Sequence, residues 1–202
     1  HWLGRPVSAV RFVLPTHLHF DHLLGVEPLA RRAGVPLALG RVAAEHVREG
    51  RPPRFPARLP ALRALPTWPM QGMPVFSRGD WGALQFGFPG GTNPFSVPVD
   101  LVLDDGDALP GFPGWRVLAT PGHADDALCL LHEEAGWLVA GDTLRNFLGG
   151  EWNPLLVDPG AYAETRRRLI SLPIRRVLPG HGPMFDTPDG LGAIRARPWW
   201  MP

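Results

Sequence analysis

The segment VLPTHLHFDH, residues 13–22, constrains the fold of this chain more than any other part of its sequence. It places three of the eight histidines and an aspartate within six positions, directly after an apolar run. Residues 8–14 are rich in apolar and β-branched side chains, which predicts a buried strand that ends at Pro15. The histidines are therefore expected in a loop at the exit of a strand.

The segments after this motif predict alternating helices and strands. Helical spacing continues to Gly34, VPLAL at 35–39 reads as a short strand, and RVAAEHVREG at 41–50 reads as a helix that ends at Gly50. Four strand-rich blocks follow later, VDLVLDDGD, GWRVLATPG, ALCLLHEEAGWLVAGD and RRVLPGHG, with the helix AYAETRRRLISL before the last of them. This order predicts a mixed fold of the α/β or α+β class.

Residues 51–98 differ from the rest of the chain in their many prolines, glycines and aromatic side chains. Long segments of this kind inside a compact domain are usually lids or binding loops. We therefore expect one domain over residues 1–202, with an insertion or lid at about 51–98.

Composition argues against several classes of partner. The chain is 45% hydrophobic and 19% charged and has no apolar run long enough for a bilayer, so no membrane partner is predicted. A net charge of +1 does not favour nucleic acid, although that partner stays an alternative. The single cysteine, Cys129, excludes an internal disulfide and favours a reducing compartment, so the predicted location is cytoplasmic.

Three later residues share the position of the first motif at the exits of expected strands: His123 in TPGHADD, Asp142 in AGDTL and His181 in LPGHG. In a loop that leaves a strand, residues two apart can point to one side, so His17 and His19 form one half-site and Asp21 and His22 another. Imidazole and carboxylate groups bind zinc at about 2.0–2.2 Å and also suit iron, nickel or copper. The pattern therefore predicts two metal sites that the later residues complete.

Together these motifs resemble the metallo-β-lactamase superfamily over about residues 8–182. The resemblance implies a four-layer αββα sandwich with the metals at one edge of the paired sheets. It also implies which residues would hold each metal: His17, His19 and His123 the first, Asp21, His22 and His181 the second, with Asp142 as the bridge. Family members usually have strands before the first histidine motif, where only sixteen residues stand here, so we expect N-terminal strands to be missing from this chain.

The implied activity is metal-dependent hydrolysis by a dinuclear centre. Two divalent ions, zinc first with iron or manganese as alternatives, would lower the pKa of a bridging water to about 7, and the resulting hydroxide would be the nucleophile. Asp21 would orient this hydroxide and relay its proton. The expected substrate is a small ester, thioester or related acyl compound. The alternatives are a phosphodiesterase or endoribonuclease and a non-catalytic metal-binding protein.

Three further residues are candidates for supporting roles. Arg145, three residues after Asp142, is expected in a loop over the metals, where it would bind a substrate carboxylate or phosphate. Asp125 and Asp126 follow His123 and are candidates to orient an imidazole.

The segment AGDTL and the Gly pair after it resemble glyoxalase II. The residues with which that enzyme binds glutathione have no counterpart in GGEWNPLLVD, so a glutathione thioester is not the expected substrate.

Without the N-terminal strands, one edge of the sheet would be exposed. The tail RARPWWMP or a second subunit of a homodimer would cover it.

Overall fold

The computed structural model describes residues 4–56, 95, 98–147 and 149–194. The lid expected at 51–98 lies mostly outside these residues, and so does the tail expected to cover a sheet edge. None of the helices in the described part of the chain has the length and apolar character of a membrane span.

The described residues form four helices and nine short strands. The helices are α1 (Phe20–Leu23), α2 (Val26–Ala33), α3 (Arg41–Glu49) and α4 (Pro159–Ile170). The strands are β1 (Leu37–Gly40), β2 (Val99–Leu103), β3 (Trp115–Ala119), β4 (Leu128–His132), β5 (Trp137–Gly141), β6 (Leu144–Asn146), β7 (Gly150–Trp152), β8 (Arg176–Pro179) and β9 (Phe185–Asp186). Single 3₁₀ turns are formed by Val7–Ala9 and Leu191–Ala193.

The strands form three sheets. β1 and β2 make a parallel pair, β6 and β7 an antiparallel hairpin, and the largest sheet has the order β3-β4-β5-β8-β9. In that sheet only the β5–β8 pair is parallel, and α4 lies in the connection between those two strands.

Alternation along the strands builds the layers, because successive side chains of a strand face opposite sides of its sheet. In β1, Leu37 and Leu39 pack into a cluster with side chains of the first three helices, whereas Ala38 packs with residues of β3 and β4. In β4, Leu128 faces this second cluster, and Leu131 packs on the other side with the α4 residue Leu169. The order is therefore helices, small sheet, large sheet, helix, which confirms the predicted αββα arrangement.

Most of the predicted elements are present. The strand at VPLAL, the helix that ends at Gly50, the four later strand blocks and the helix at AYAETRRRLISL are all confirmed. Gly34 ends α2 with a φ of 64°, as expected. The helical segment before it is interrupted, because Gly25 adopts a φ of 80° between α1 and α2.

The strand expected over residues 8–14 is wrong. Val7–Ala9 form a 3₁₀ turn, and only Val13 makes a single parallel bridge, to Leu37. The N–H of Val13 bonds to the carbonyl of Pro36, and its own carbonyl accepts from Ala38. A strand needs a neighbour along its whole length, and among the described residues this segment meets β1 only at its end.

Candidate metal centre

Three of the predicted site residues emerge from the large sheet. β5 and β8 run parallel, with Gly141 paired to Pro179, so the residues that follow these strands leave the sheet side by side. Asp142 comes directly after β5, and His181 follows β8 by two residues. His123 lies in the loop between β3 and β4.

The other four predicted residues lie in and just before α1. Leu18 is fully buried in the core, and the rings of His17 and His19 on either side of it both contact the ring of His123. His19 has extended backbone and is the N-cap of α1, whose single turn carries Asp21 and His22. The first motif therefore supplies side chains from a loop and from a helix.

The first group consists of three buried imidazoles. The Nδ1 atom of His19 lies 3.1 Å from Nε2 of His17 and 3.1 Å from Nε2 of His123. These three nitrogens lie within 4.8 Å of one another and form one set of potential metal donors.

Backbone carbonyls on the outside of the group determine which nitrogens face inward. The Nε2 atom of His19 lies 3.0 Å from the carbonyl oxygen of Arg54, and Nδ1 of His123 lies 2.6 Å from that of Leu155. A carbonyl only accepts hydrogen bonds, so we assign a proton to each of these outer nitrogens. The inner nitrogens of both neutral rings then carry lone pairs, which is the state a metal ligand needs.

The second group surrounds the carboxylates of Asp21 and Asp142. His181 Nε2 lies 3.2 Å from Asp21 Oδ2 and 3.5 Å from Asp142 Oδ2. His22 Nε2 lies 3.1 Å from Asp142 Oδ1 and 3.9 Å from Asp21 Oδ2. Asp142 also approaches the first group, since its Oδ2 is 3.4 Å from His123 Nε2. Its two oxygens therefore face both groups.

Burial and charge separate the two groups electrostatically. Burial lowers the pKa of His17 well below its usual value, lowers the pKa of His19 to about 4, and also lowers the pKa of His123. These three rings are neutral at pH 7. Burial opposes the charged form of His181 as well, but hydrogen bonds to the two carboxylates outweigh it and raise the pKa of His181 to about 10.

The same balance acts on the other charged members of the second group. Burial works against the charged form of His22, yet the charge of Asp142 outweighs it and raises the pKa of His22. Burial would raise the pKa of Asp142, but His22 and His181 hold it well below its usual value. The second group without metal thus favours protonated His181 beside two carboxylates, and binding a cation there requires the release of that proton.

The donor set fits a pair of divalent cations. A tetrahedral ion with bonds of about 2.0–2.1 Å separates its ligand atoms by about 3.3 Å. The shortest separations between donors here are 3.1–3.5 Å in both groups. His22 Nε2 and Asp142 Oδ1 are also buried and lie 3.1 Å apart, as an ion pair without the geometry of a hydrogen bond. A cation between them would bind both atoms.

Close packing supports this arrangement at Gly180. A Cβ atom at this position would lie 2.7 Å from Asp142 Oδ1 and 2.7 Å from a ring carbon of His22. A larger residue before His181 would therefore displace the carboxylate between the two groups.

The prediction that Arg145 lies in a loop over the metals is wrong. Arg145 lies in strand β6 rather than in a loop, is 2% exposed, and forms an ion pair of 2.8 Å with Glu151 of β7. Its guanidinium carbon also lies 4.8 Å from the centre of the Phe147 ring. A guanidinium buried in this way is not presented to a substrate.

Several residues near the site carried no clear signal in the sequence. Asn153 donates a hydrogen bond of 2.8 Å to the carbonyl of Asp142, and Phe55 stacks on His19 with ring centres 4.7 Å apart. The carbonyls of Arg54 and Leu155 had no signal at all, because every residue has a carbonyl. Asp126 was expected to orient an imidazole, but its carboxylate binds the backbone N–H of Leu18 instead.

The sequence profile of the Metallo-beta-lactamase superfamily matches residues 1–181. This chain belongs to the metallo-β-lactamase superfamily. The seven converging side chains are those that the family resemblance indicated, and the αββα layers are the fold expected for such a member.

Two curated relatives come from Bacillus subtilis (strain 168). The probable metallo-hydrolase YqjP is 36% identical over 99 residues, which cover 44% of this chain and 30% of that protein. The probable metallo-hydrolase YflN is 26% identical over 187 residues, which cover 86% of this chain and 64% of that protein. This chain therefore matches less than two thirds of the length of either relative.

A solved structure of the superfamily is similar to this chain as well. The crystal structure of TTHA1623 in a di-iron-bound form superposes with a TM-score of 0.50 and 28% identity, covering 86% of this chain and 70% of that one. Superfamily members bind divalent metals, and this neighbour holds iron, so the choice of metal is not decided by the family.

Proposed function

We propose that this chain is a metal-dependent hydrolase with a dinuclear centre that cleaves small esters, thioesters or related acyl compounds. The observation that carries the proposal is the convergence of seven side chains from four separate segments, in which backbone carbonyls lie against the outer nitrogens of two imidazoles. Family membership and the two probable metallo-hydrolases among the relatives support the same reaction type.

The ligand roles follow from the two groups. His17, His19 and His123 would hold one cation, Asp21, His22 and His181 the other, and Asp142 would contact both through its two oxygens. When bound, two divalent cations supply an activated water at neutral pH and polarise the bond to be cleaved. We propose zinc, because imidazoles and carboxylates at these separations suit it, and iron is the alternative that the di-iron neighbour supports.

Asp21 is placed to handle the proton. Its side chain is 25% exposed, compared with 9% for Asp142, so it is the carboxylate of the centre that solvent reaches most easily. Burial works against its charge, but the hydrogen bond to His181 outweighs this and lowers the pKa of Asp21. Asp21 therefore stays ionised at neutral pH, and we propose that it orients a reacting water and relays its proton.

Aromatic rings beside the cluster favour an apolar acyl group over a polyanion. Phe55 is 37% exposed and covers one face of His19, and the Phe147 ring lies 6.4 Å from that of His181. Phe55 lies beside the first group and Phe147 beside the second, so a substrate bound over the two groups would contact an aromatic ring at each. Arg145, which the sequence suggested for binding an anion, is occupied by Glu151.

Turnover of two generic substrates tests this function. The wild-type chain is stripped of metal, reloaded with zinc or iron, and assayed with an aryl acetate and with a bis-aryl phosphodiester. We expect metal-dependent cleavage of the ester that exceeds cleavage of the phosphodiester. Faster cleavage of the phosphodiester would support the phosphodiesterase alternative. If a metal-loaded sample cleaves neither substrate, a non-catalytic metal-binding protein is the remaining hypothesis.

A variant pair addresses the role of the aromatic rings. Phe55→Ala removes the ring on His19, whereas Phe112→Ala removes a similarly exposed phenylalanine whose ring packs against Phe12. We expect Phe55→Ala to raise KM for long-chain aryl esters more than for the acetate, and Phe112→Ala to leave that ratio unchanged. An equal effect on both esters would contradict an acyl-binding role for Phe55.

A further inference from the structure

The carboxylate of Asp126 joins the two loops that supply the first histidine group. Its Oδ2 atom accepts a hydrogen bond of 2.8 Å from the backbone N–H of Leu18, 108 residues away in sequence. Leu18 stands between His17 and His19, and Asp126 comes three residues after His123. This one bond therefore links the segments that carry all three imidazoles.

The side chain of Asp126 is in an environment that does not favour a carboxylate. It is 3% exposed, and its Oδ1 atom has no hydrogen-bond partner among the described residues. Burial raises the pKa of Asp126 to about 7. Burying a polar group lowers stability unless hydrogen bonds compensate. The bond from Leu18 is the contact that offsets the cost of burying Asp126.

A second bond joins the same two loops but does not depend on side-chain identity. The backbone N–H of Leu128 bonds to the carbonyl of Thr16 at 2.9 Å. This bond holds Thr16, the residue before His17, beside β4. The bond from Leu18 to Asp126 lies two residues further along the same loop, between His17 and His19.

We propose that Asp126 is a positioning residue for the first metal site. Its carboxylate sets the spacing between the loop of His17 and His19 and the loop of His123, so that the three inner nitrogens meet around one cation. Asp126 itself belongs to none of the donor groups formed by the described residues. The inference rests on the proposed function in taking these three histidines as ligands.

Two variants of similar shape separate the hydrogen bond from packing. Asp126→Asn keeps an oxygen that accepts from Leu18, whereas Asp126→Leu keeps the branched shape without an acceptor. Asp125→Asn is the control, since it removes a charge from the adjacent residue, which faces His46 rather than Leu18. Cobalt(II) serves as the probe, because its visible absorption reports coordination geometry and its affinity is measured by competition with a chelator.

We expect Asp126→Leu to weaken cobalt binding by about 10–100-fold and to change its visible spectrum, as loss of a supporting contact does at other metal sites. Asp126→Asn and Asp125→Asn should bind cobalt within a few-fold of wild type with an unchanged spectrum. The melting temperature of each metal-free protein is measured in parallel, so that a loss of fold is not counted as a loss of affinity.

Three results would overturn the inference. The first is equal cobalt affinity in wild type and Asp126→Leu. The second is an equal loss of affinity in Asp125→Asn, which would assign the effect to charge alone. The third is a metal-free Asp126→Leu chain that fails to fold while Asp126→Asn folds, which would make the bond a folding contact. A wild-type chain that binds no metal would instead contradict the proposed function on which the inference rests.

Discussion

His19 and His123 face each other, with Nδ1 of one ring 3.1 Å from Nε2 of the other. Because the carbonyls of Arg54 and Leu155 lie against the far sides of the rings, we assign the ring protons there, which leaves lone pairs on both inner nitrogens. Two lone pairs at this separation repel each other, and a cation between them replaces the repulsion by two bonds. The metal-free protein is therefore less stable at this point than the metal-loaded one.

Metal removal should accordingly lower the melting temperature. A ligand at 100 times its Kd stabilises the folded state by about 2.7 kcal/mol. We expect dialysis against a chelator to lower the melting temperature by several degrees and added zinc to restore it in a concentration-dependent way. Scanning calorimetry of both forms measures the shift, and identical melting temperatures would contradict a buried metal site.

Single histidine replacements should remove one metal at a time. His123→Ala takes a ligand from the first group and His181→Ala takes one from the second, so each variant should lose about one metal equivalent per chain. His132→Ala is a suitable control, because His132 lies on β4 against Trp115, outside both groups. Elemental analysis of the purified proteins gives the stoichiometry. Unchanged stoichiometry in the first two variants would contradict the assignment.

Gly182→Ala should be strongly destabilising. A Cβ at Gly182 would lie 1.7 Å from the carbonyl oxygen of Asn146, and the residue has a φ of 86°. Gly34 has a similar φ of 64° with no atom within 4 Å of the added Cβ, so Gly34→Ala isolates the backbone term. We expect a loss of about 3 kcal/mol or more for Gly182→Ala and about 1 kcal/mol for Gly34→Ala. Urea unfolding measures both, and equal losses would show that the contact with Asn146 relaxes freely.

Cys129 should resist thiol reagents in the folded protein. It is 0% exposed in the middle of β4, and burial raises the pKa of its thiol to about 11. Thiolate is the reactive form, so both burial and protonation slow the reaction. Labelling with a disulfide reagent should be fast in guanidinium and slower by orders of magnitude in buffer. Rapid labelling of the native chain would place Cys129 near the surface.

The stability of the metal-free protein should depend on Asp126 between about pH 4 and pH 7. Burial raises the pKa of this carboxyl from 3.8 to about 7, so its protonated form favours the folded state. That contribution is complete below pH 3.8 and is lost as the pH rises through 7. Relative to Asp126→Asn, which does not titrate, wild type should lose free energy of unfolding across this range. Parallel curves for the two proteins would contradict the raised pKa.

The sequence identified the site better than its surroundings. His17, His19, Asp21 and His22 stand close together in the chain, so local spacing was enough to predict that they converge, although the strand expected before them is absent. Arg145 was misplaced because its partner Glu151 meets it only through the pairing of β6 with β7, which spacing alone does not reveal.

The same limit explains the missing strand and the supporting contacts. Apolar, β-branched residues over 8–14 satisfied the pattern of a strand, but a strand also requires a neighbour, and Val13 meets one only at Leu37. The bond from Asp126 to Leu18 joins residues far apart in sequence and uses a backbone atom, which has no signature in any residue type. Contacts of this kind become visible only once the two loops are placed together.

The donor groups draw on residues from 17 to 181, and the first group joins the loop before α1 to the loop after β3. A cation held there would cross-link the two halves of the sandwich, and the loop that it closes contains α1, α2, β1, α3, β2 and β3. Such a tie restricts the unfolded chain as a disulfide does. This chain has one cysteine and therefore no internal disulfide, so ions bound at these groups would be its reversible cross-links.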